Sequence, residues 1–472
     1  MNSNDLLHIL SLLTLIVTGL ALLLVEATRG TRANLSYYVS LAGILTAAGF
    51  AVAEIGGEGT AFGGMLRIGG FASYFTLLFL TSAFLTILVS REYLTKLNLH
   101  RGEYYILIVF ATTGMVLMAS ALDLIIIFLG IELMSVSLYV LAGFFRKKHI
   151  SNEASVKYFL LGAFATGFLL YGIALIYGST GTTDMLVLKQ NFASFSGNGL
   201  FLVGVGMLVV AFSFKISAVP FHMWAPDVYE GAPTVVTAFM STGAKAAAFA
   251  AFVSVFIGSF EYSGSAVSEI LALIAAASMI IGNVSAVVQT NLKRMLAYSS
   301  IAHAGYMLSG IAAGNPEGQT GILFYVVAYT FMNIGAFTIV AVMEKEEDKG
   351  LTFDDYAGLS TKRPYLAALM ALFMFSLAGI PPFAGFFGKY YVFLSAVKAN
   401  MAWLAVVGVL TSVISVYYYL RLVVMMYFRD GQADVSAMPS FHTLIALVLA
   451  ALFVVQLGLY PSFIVELAQR FQ

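Results

Sequence analysis

From Gly199 to Phe221 the sequence reads GLFLVGVGMLVVAFSFKISAVPF, an apolar run broken by one charge, Lys215, and closed by Pro220. At a rise of about 1.5 Å per residue, such a run is long enough to cross a hydrocarbon layer of about 30 Å. Lipid is therefore the medium expected for it, and a lysine near the centre of that layer costs roughly 2.5–3.5 kcal/mol on insertion scales. Pro220 lacks a backbone donor and frees the carbonyl of Ile216, so the helix expected over 197–221 is interrupted beside its lysine. Freed carbonyls in lipid are tolerated only against protein or water, which makes the break a hydrated cavity.

The rest of the chain has the same character. Of 472 residues, 60% are hydrophobic and 10% charged, a balance that fits lipid and not a soluble core of this size. Cysteine is absent, which excludes disulfides, thiolate metal sites, cysteine-held iron–sulfur clusters and thiol catalysis. No redox centre or cofactor is expected in this chain, no metal site, and no nucleic-acid partner. The apolar stretch starting near Leu6 has no basic leader or small-residue cleavage site and reads as a retained first span.

Apolar stretches parted by charged or turn-rich breaks predict an all-α polytopic membrane protein with about 14 transmembrane helices. Glycines such as Gly162 and Gly167 suit close packing of helices in lipid. No soluble domain fits between the spans, since the longest loop covers about 343–364. Most of the 24 Lys and Arg residues fall in alternate loops, among them Arg29, Arg32, Arg91, Arg146, Lys147, Lys293, Arg294 and Arg421. The opposite loops hold Arg67, Lys189, Lys398 and Arg470. The positive-inside rule places the rich face in the cytoplasm and both termini on the other side.

Lys157, Lys215, Lys245 and Lys389 remain, inside predicted spans. Desolvation disfavours an ammonium, so a buried lysine can accept and release protons near neutral pH. Snorkelling to the interface is the structural alternative, and it fits Lys157, a few residues into its span, as well as a proton role does. Glu132, between Gly130 and Met134, is the one acid expected at real depth and needs a cationic partner, Lys215 or Lys157, or a proton. His303 is near mid-helix, where Ser299, Ser300 and Tyr306 supply hydroxyls beside it; relay and packing are both consistent with that setting. His222 and His442 fall near span ends, and His8, His100 and His149 read as interfacial or solvated.

A second break, Ala378-Gly379-Ile380-Pro381-Pro382-Phe383, resembles Ser217-Ala218-Val219-Pro220-Phe221, and each lies in a span with one lysine. The breaks fall in predicted spans seven and twelve, an odd offset that turns one copy upside down relative to the other. Inverted repeats with discontinuous helices are a recurrent transporter plan.

The stretch Phe214-Lys215-Ile216-Ser217-Ala218-Val219-Pro220-Phe221-His222-Met223-Trp224-Ala225-Pro226-Asp227-Val228-Tyr229-Glu230-Gly231-Ala232-Pro233-Thr234 closely resembles the signature of the antiporter-like subunits of respiratory complex I. Its wording looks like the N branch of that family and not L or M. Gly130-Ile131-Glu132-Leu133, Lys293 to His303, and Gly385-Phe386-Phe387-Gly388-Lys389 match in family order. The resemblance implies two inverted five-helix repeats, spans 4–8 and 9–13, with spans 7 and 12 broken. Residues 1–103 then form an N-terminal section, 104–260 and 261–430 the repeats, and 431–472 the last span. It also implies roles: Glu132 and Lys215 as a switching pair, Lys245 as central relay, His303 as bridge, Lys389 as distal relay and Lys157 as modulator. Val235-Val236 departs from the family's usual Pro-Thr-Pro-Val and relaxes the start of span eight. Trp224 suits a membrane interface; Pro226, Gly231 and Pro233 suit a turn that Asp227 and Glu230 hold.

The expected function is that of a proton-translocating membrane subunit of an NADH:quinone oxidoreductase in a bacterial inner membrane. Flavin, iron–sulfur clusters and quinone belong to partner subunits, and the neighbours include paralogous antiporter-like subunits. A Mrp-type cation/proton antiporter without electron transfer is the alternative.

Overall fold

The computed structural model describes residues 9–29, 33–260, 262, 264–345, 349–431, 433 and 438–471. His8 and Arg32 lie outside these. The described chain is almost wholly helical. The first six helices are α1 (Leu10–Arg29), α2 (Ala33–Glu54), α3 (Gly70–Lys96), α4 (Gly102–Ser120), α5 (Leu124–Ala142) and α6 (His149–Thr180). A two-stranded hairpin, β1 (Gly59–Ala61) and β2 (Leu66–Ile68), joins α2 to α3. After two short helical turns come α7 (Gly199–Lys215), α8 (Trp224–Gly231) and α9 (Thr234–Ile257). Then follow α10 (Ala266–Val287), α11 (Leu292–Ala313), α12 (Pro316–Met343), α13 (Pro364–Ala378), α14 (Ala384–Lys398), α15 (Ala402–Phe428), α16 (Phe441–Leu459) and the short α17 (Ser462–Gln469).

Among the described residues, eleven helices are long and apolar enough to cross a membrane. The three predicted spans not among them fall on α7, on α13 with α14, and on α11, which carries Lys293, Arg294 and His303. The most enclosed spans are α9 and α12, whose apolar windows are 94% buried, so they form the centre around which the other helices pack.

Both predicted breaks are present, but the prolines do not make them in the expected way. Helix α7 stops at Lys215, five residues before Pro220, because Ser217 takes a left-handed φ of 62°. There Ser217 N–H donates to Phe214 O and Ala218 N–H to Ser213 O, a paired capping pattern that satisfies the last carbonyls. Helix α13 ends identically: Gly379 has φ 86°, with Gly379 N–H to Ser376 O and Ile380 N–H to Phe375 O. Cis peptides follow in both, at Val219-Pro220 and Pro381-Pro382.

Helices cross closely where glycine permits. A Cβ on Gly130 of α5 would lie 2.8 Å from Gly114 O of α4, and one on Gly282 of α10 would lie 2.6 Å from Ala302 N of α11. Of the glycines singled out in α6, Gly162 accommodates the Tyr139 ring, whereas a Cβ on Gly167 would meet nothing within 4 Å.

A line of buried ionisable groups

Lys215, the last residue of α7, is buried, and its Nζ donates to Ser135 Oγ on α5 at 2.8 Å. Ser135 is one helical turn from Glu132, on the same face of α5. Glu132 itself is half-buried and accepts a hydrogen bond from Thr166 Oγ1 at 2.7 Å. No ion pair within 4.0 Å joins Glu132 to Lys215 or Lys157 among the described residues, so the pairing expected at this end is open in this structure. In the same stretch of chain as Lys215, the buried hydroxyls of Ser213 and Ser217 have no protein hydrogen-bond partner. Buried polar atoms without a protein partner are of the kind that ordered water can satisfy.

Lys245 is fully enclosed on α9, directly after a π-helical turn, Met240–Ala244, of the kind often found at functional sites. Its Nζ donates to Ser300 O of α11 at 2.9 Å and also reaches Ser300 Oγ. One turn along α11, His303 is gripped at both ring nitrogens: Nδ1 meets Tyr325 Oη of α12 at 2.8 Å and Nε2 meets Tyr419 Oη of α15 at 3.0 Å. Tyr419 in turn bonds Ser299. Tyr306 sits edge-on to the His303 ring, and its hydroxyl accepts from Asn283 Nδ2 at 2.8 Å. Neither Tyr325 nor Tyr419 is signalled by the sequence, because nothing in a single chain says which apolar helix faces His303.

Lys389, on α14 just past the second break, donates to Ala378 O at 2.8 Å and Ser412 Oγ at 2.7 Å, with the Tyr306 ring 5.1 Å away. Ala378 is the last residue of α13, so its carbonyl has no partner within that helix. Lys389 also lines a groove of about 540 Å³ with Gly379, Pro381 and Ser412.

Lys157 is placed elsewhere. It is 41% exposed and pairs with Glu153 and Asp227, each at 2.7 Å. Arg294 bonds Asp227 at 2.8 Å and Glu230 at 2.9 Å, so Asp227 and Glu230 tie α8 to α6 and α11. Burial pushes the Asp227 carboxyl up, but hydrogen bonds from Lys157 and Arg294 outweigh that and hold it below the ordinary carboxylate range. Trp224 faces protein and not its surroundings: it is buried, stacks on Tyr158 at 4.5 Å and donates through Nε1 to Phe214 O at 3.1 Å. The sequence also underrated one acid. Glu344, assigned to a loop, is 1% exposed.

Residues 121–415 match the family described as "NADH:quinone oxidoreductase/Mrp antiporter, TM". The chain is 49% identical to the NADH-quinone oxidoreductase subunit N of Trichlorobacter lovleyi, over 96% of this chain and 94% of that protein. Against NADH-quinone oxidoreductase subunit N 1 of Chloroherpeton thalassium it is 47% identical, over 99% and 98%. A chain of respiratory complex I from Thermus thermophilus superposes with a TM-score of 0.85 at 35% identity, covering 97% of this chain and 99% of that one. A chain of the Mrp complex from Dietzia sp. has a TM-score of 0.86, covering 99% of this chain and 97% of that one, but at 20% identity it shares the fold alone.

Proposed function

The chain belongs to the NADH:quinone oxidoreductase/Mrp antiporter transmembrane family, and on that premise we propose that protons cross the membrane along its Lys215, Lys245, His303 and Lys389. It is a complex I subunit N, a membrane-embedded part of a proton-translocating NADH:quinone oxidoreductase. The Mrp reading has less support, since that likeness extends only to the fold.

One observation carries the proposal: three lysines are buried against hydroxyl and carbonyl oxygens, with no carboxylate within 4.0 Å among the described residues. A stably charged structural lysine in lipid would be expected to have a counter-ion. Neutral oxygens suit a group that gains and loses a proton, because hydroxyls donate to an amine as readily as they accept from an ammonium. Glu132 is the switch in this reading. Its approach to Lys215 stabilises the ammonium by Coulomb attraction, and its retreat frees the proton toward Lys245. Ser300, Ser299 and Tyr419 then lead to His303, and the Tyr306 side of His303 leads to Lys389. Lys157 modulates that switch by setting how α6 sits, through Asp227, against α8 and the first break.

Quinone reduction elsewhere in the assembly drives the cycle; flavin, iron–sulfur clusters and quinone reside in partner subunits, and paralogous antiporter-like subunits are the neighbours. The membrane is the bacterial inner membrane, with both termini on its non-cytoplasmic side. Residues 104–260 and 261–430 act as inverted repeats; matching glycine crossings and matching helix breaks support that division.

The test is quinone-dependent proton pumping by the purified complex in vesicles. Lys215→Ala or Lys245→Ala is expected to abolish the share of pumping carried by this chain while the complex assembles. Full pumping in both variants would overturn the proposal.

A further inference from the structure

Glu344 stands just past the C-terminal end of α12, and its carboxylate takes its hydrogen bonds from two hydroxyls: Tyr93 Oη at 2.8 Å and Thr234 Oγ1. Tyr93 lies in the last turn of α3, and Thr234 is the first residue of α9, the helix that carries Lys245. The Tyr93 hydroxyl also accepts from Thr234 N–H at 3.0 Å, closing a ring of three groups on one carboxylate oxygen. No Lys or Arg nitrogen lies within 4.0 Å of that carboxylate among the described residues. The ammonium of Lys96 turns instead to the backbone carbonyls of Val342, at 3.0 Å, and Glu344, at 2.6 Å. Tyr356, whose buried hydroxyl has no hydrogen-bond partner, lies within electrostatic reach of the same acid.

Two further features give this acid a direction. On one side, a cavity of about 260 Å³ is lined by Tyr93 together with Glu92, Lys96, Val342 and Thr443. On the other, Thr234, Thr237, Ser241 and Lys245 follow one another along α9 at spacings of three, four and four, which is one stripe of a helix. All four are buried. The stripe runs from Glu344 to the central lysine; Thr237 and Ser241 donate here to the carbonyls of Tyr229 and Ala238, each at 2.9 Å, so a proton passing along it would require these hydroxyls to turn. A carboxylate held by hydroxyls can gain a proton without losing its contacts, because each hydroxyl can turn from donor to acceptor.

We propose that Glu344 is a proton-loading residue, taking protons from the cavity side through Tyr93 and delivering them to the Thr234 end of α9. The inference rests on the proton route through Lys245 and adds its loading end.

The experiment compares Glu344→Gln, Glu344→Asp, Tyr93→Phe and Lys245→Ala in the whole complex, measuring protons moved per electron in vesicles at matched quinone reduction. Glutamine keeps both hydrogen bonds from Tyr93 and Thr234 but cannot carry the proton. Glu344→Gln is expected to fall to the Lys245→Ala level, Tyr93→Phe to fall with it, and Glu344→Asp to recover most of the loss. If Lys245→Ala loses pumping while Glu344→Gln equals wild type, the loading role is overturned and the central route stands. Full pumping by Lys245→Ala overturns the route itself. Should Glu344→Gln fail to assemble, the wild-type complex decides: a hydrophobic carbodiimide, which adds to protonated carboxyls, is expected to leave its acylurea adduct on Glu344. Adducts on other buried acids with none on Glu344 would overturn the inference.

Discussion

His303 is held at both ring nitrogens, as the proposed proton route requires. A neutral imidazole donates from one nitrogen and accepts at the other, so of Tyr325 and Tyr419 one accepts while the other donates. When a proton enters at one nitrogen and leaves from the other, both hydrogen bonds reverse, and each phenol must be able to turn. A packing histidine would keep both bonds in one fixed direction. Tyr419→Phe and Tyr325→Phe are therefore each expected to lower proton flux through this chain by roughly tenfold or more, close to His303→Ala. Thermal stability should fall by only about 1–3 kcal/mol for the partner left unsatisfied. Vesicle pumping read beside the melting curve checks this, and normal flux in both variants would leave His303 a packing residue. His303 itself was legible in the sequence as an ionisable group in an apolar run. Its two tyrosines were not, because residues 22 and 116 positions away meet it only through helix packing.

At the scale of elements, the structure repeats a device. Helices α4 and α5 cross at Gly114 and Gly130, and α10 and α11 cross at Gly282 and Gly305, where added methyls would strike backbone atoms of the facing helix. Gly130 precedes Glu132 by two residues and Gly305 follows His303 by two, so each crossing fixes the depth of an ionisable side chain. Gly130→Val should force α5 off α4, costing about 1–3 kcal/mol as an overpacked contact and uncoupling Ser135 from Lys215. Gly167→Val, with nothing within 4 Å, is expected to change stability by less than about 0.5 kcal/mol. Melting temperature and pumping of the two variants make the comparison; equal effects would remove the crossing's role. The broken helices were readable from Pro220 and Pro381-Pro382 as locations but not as mechanisms. The chain stops earlier, on the left-handed Ser217 and Gly379, a backbone choice that a serine in particular does not announce.

Across the whole molecule, the charge map gains a physical basis. Arg67, Lys189 and Arg470, read as the sparse basic residues of one face, line a single cavity of about 570 Å³ although 122 and 281 positions part them in sequence. Lys96 lies at the far end of α3 from Gly70, which lines that same cavity, so the two basic sets occupy opposite ends of the bundle. The positive-inside rule proposes which end faces the cytoplasm, and the absence of cysteine makes this directly measurable. Single substitutions Lys147→Cys, in the exposed loop after α5, and Lys398→Cys, on the exposed last turn of α14, place one thiol at each face of this chain. An impermeant maleimide is expected to label Lys398→Cys in spheroplasts and Lys147→Cys only in inverted vesicles, read on the isolated chain. Labelling of both from the same side would break the topology, and the opposite pattern would turn the molecule over. Inversion would also move the cavity beside Glu344 to the non-cytoplasmic side, so that the same residues would release protons where they are here inferred to load them.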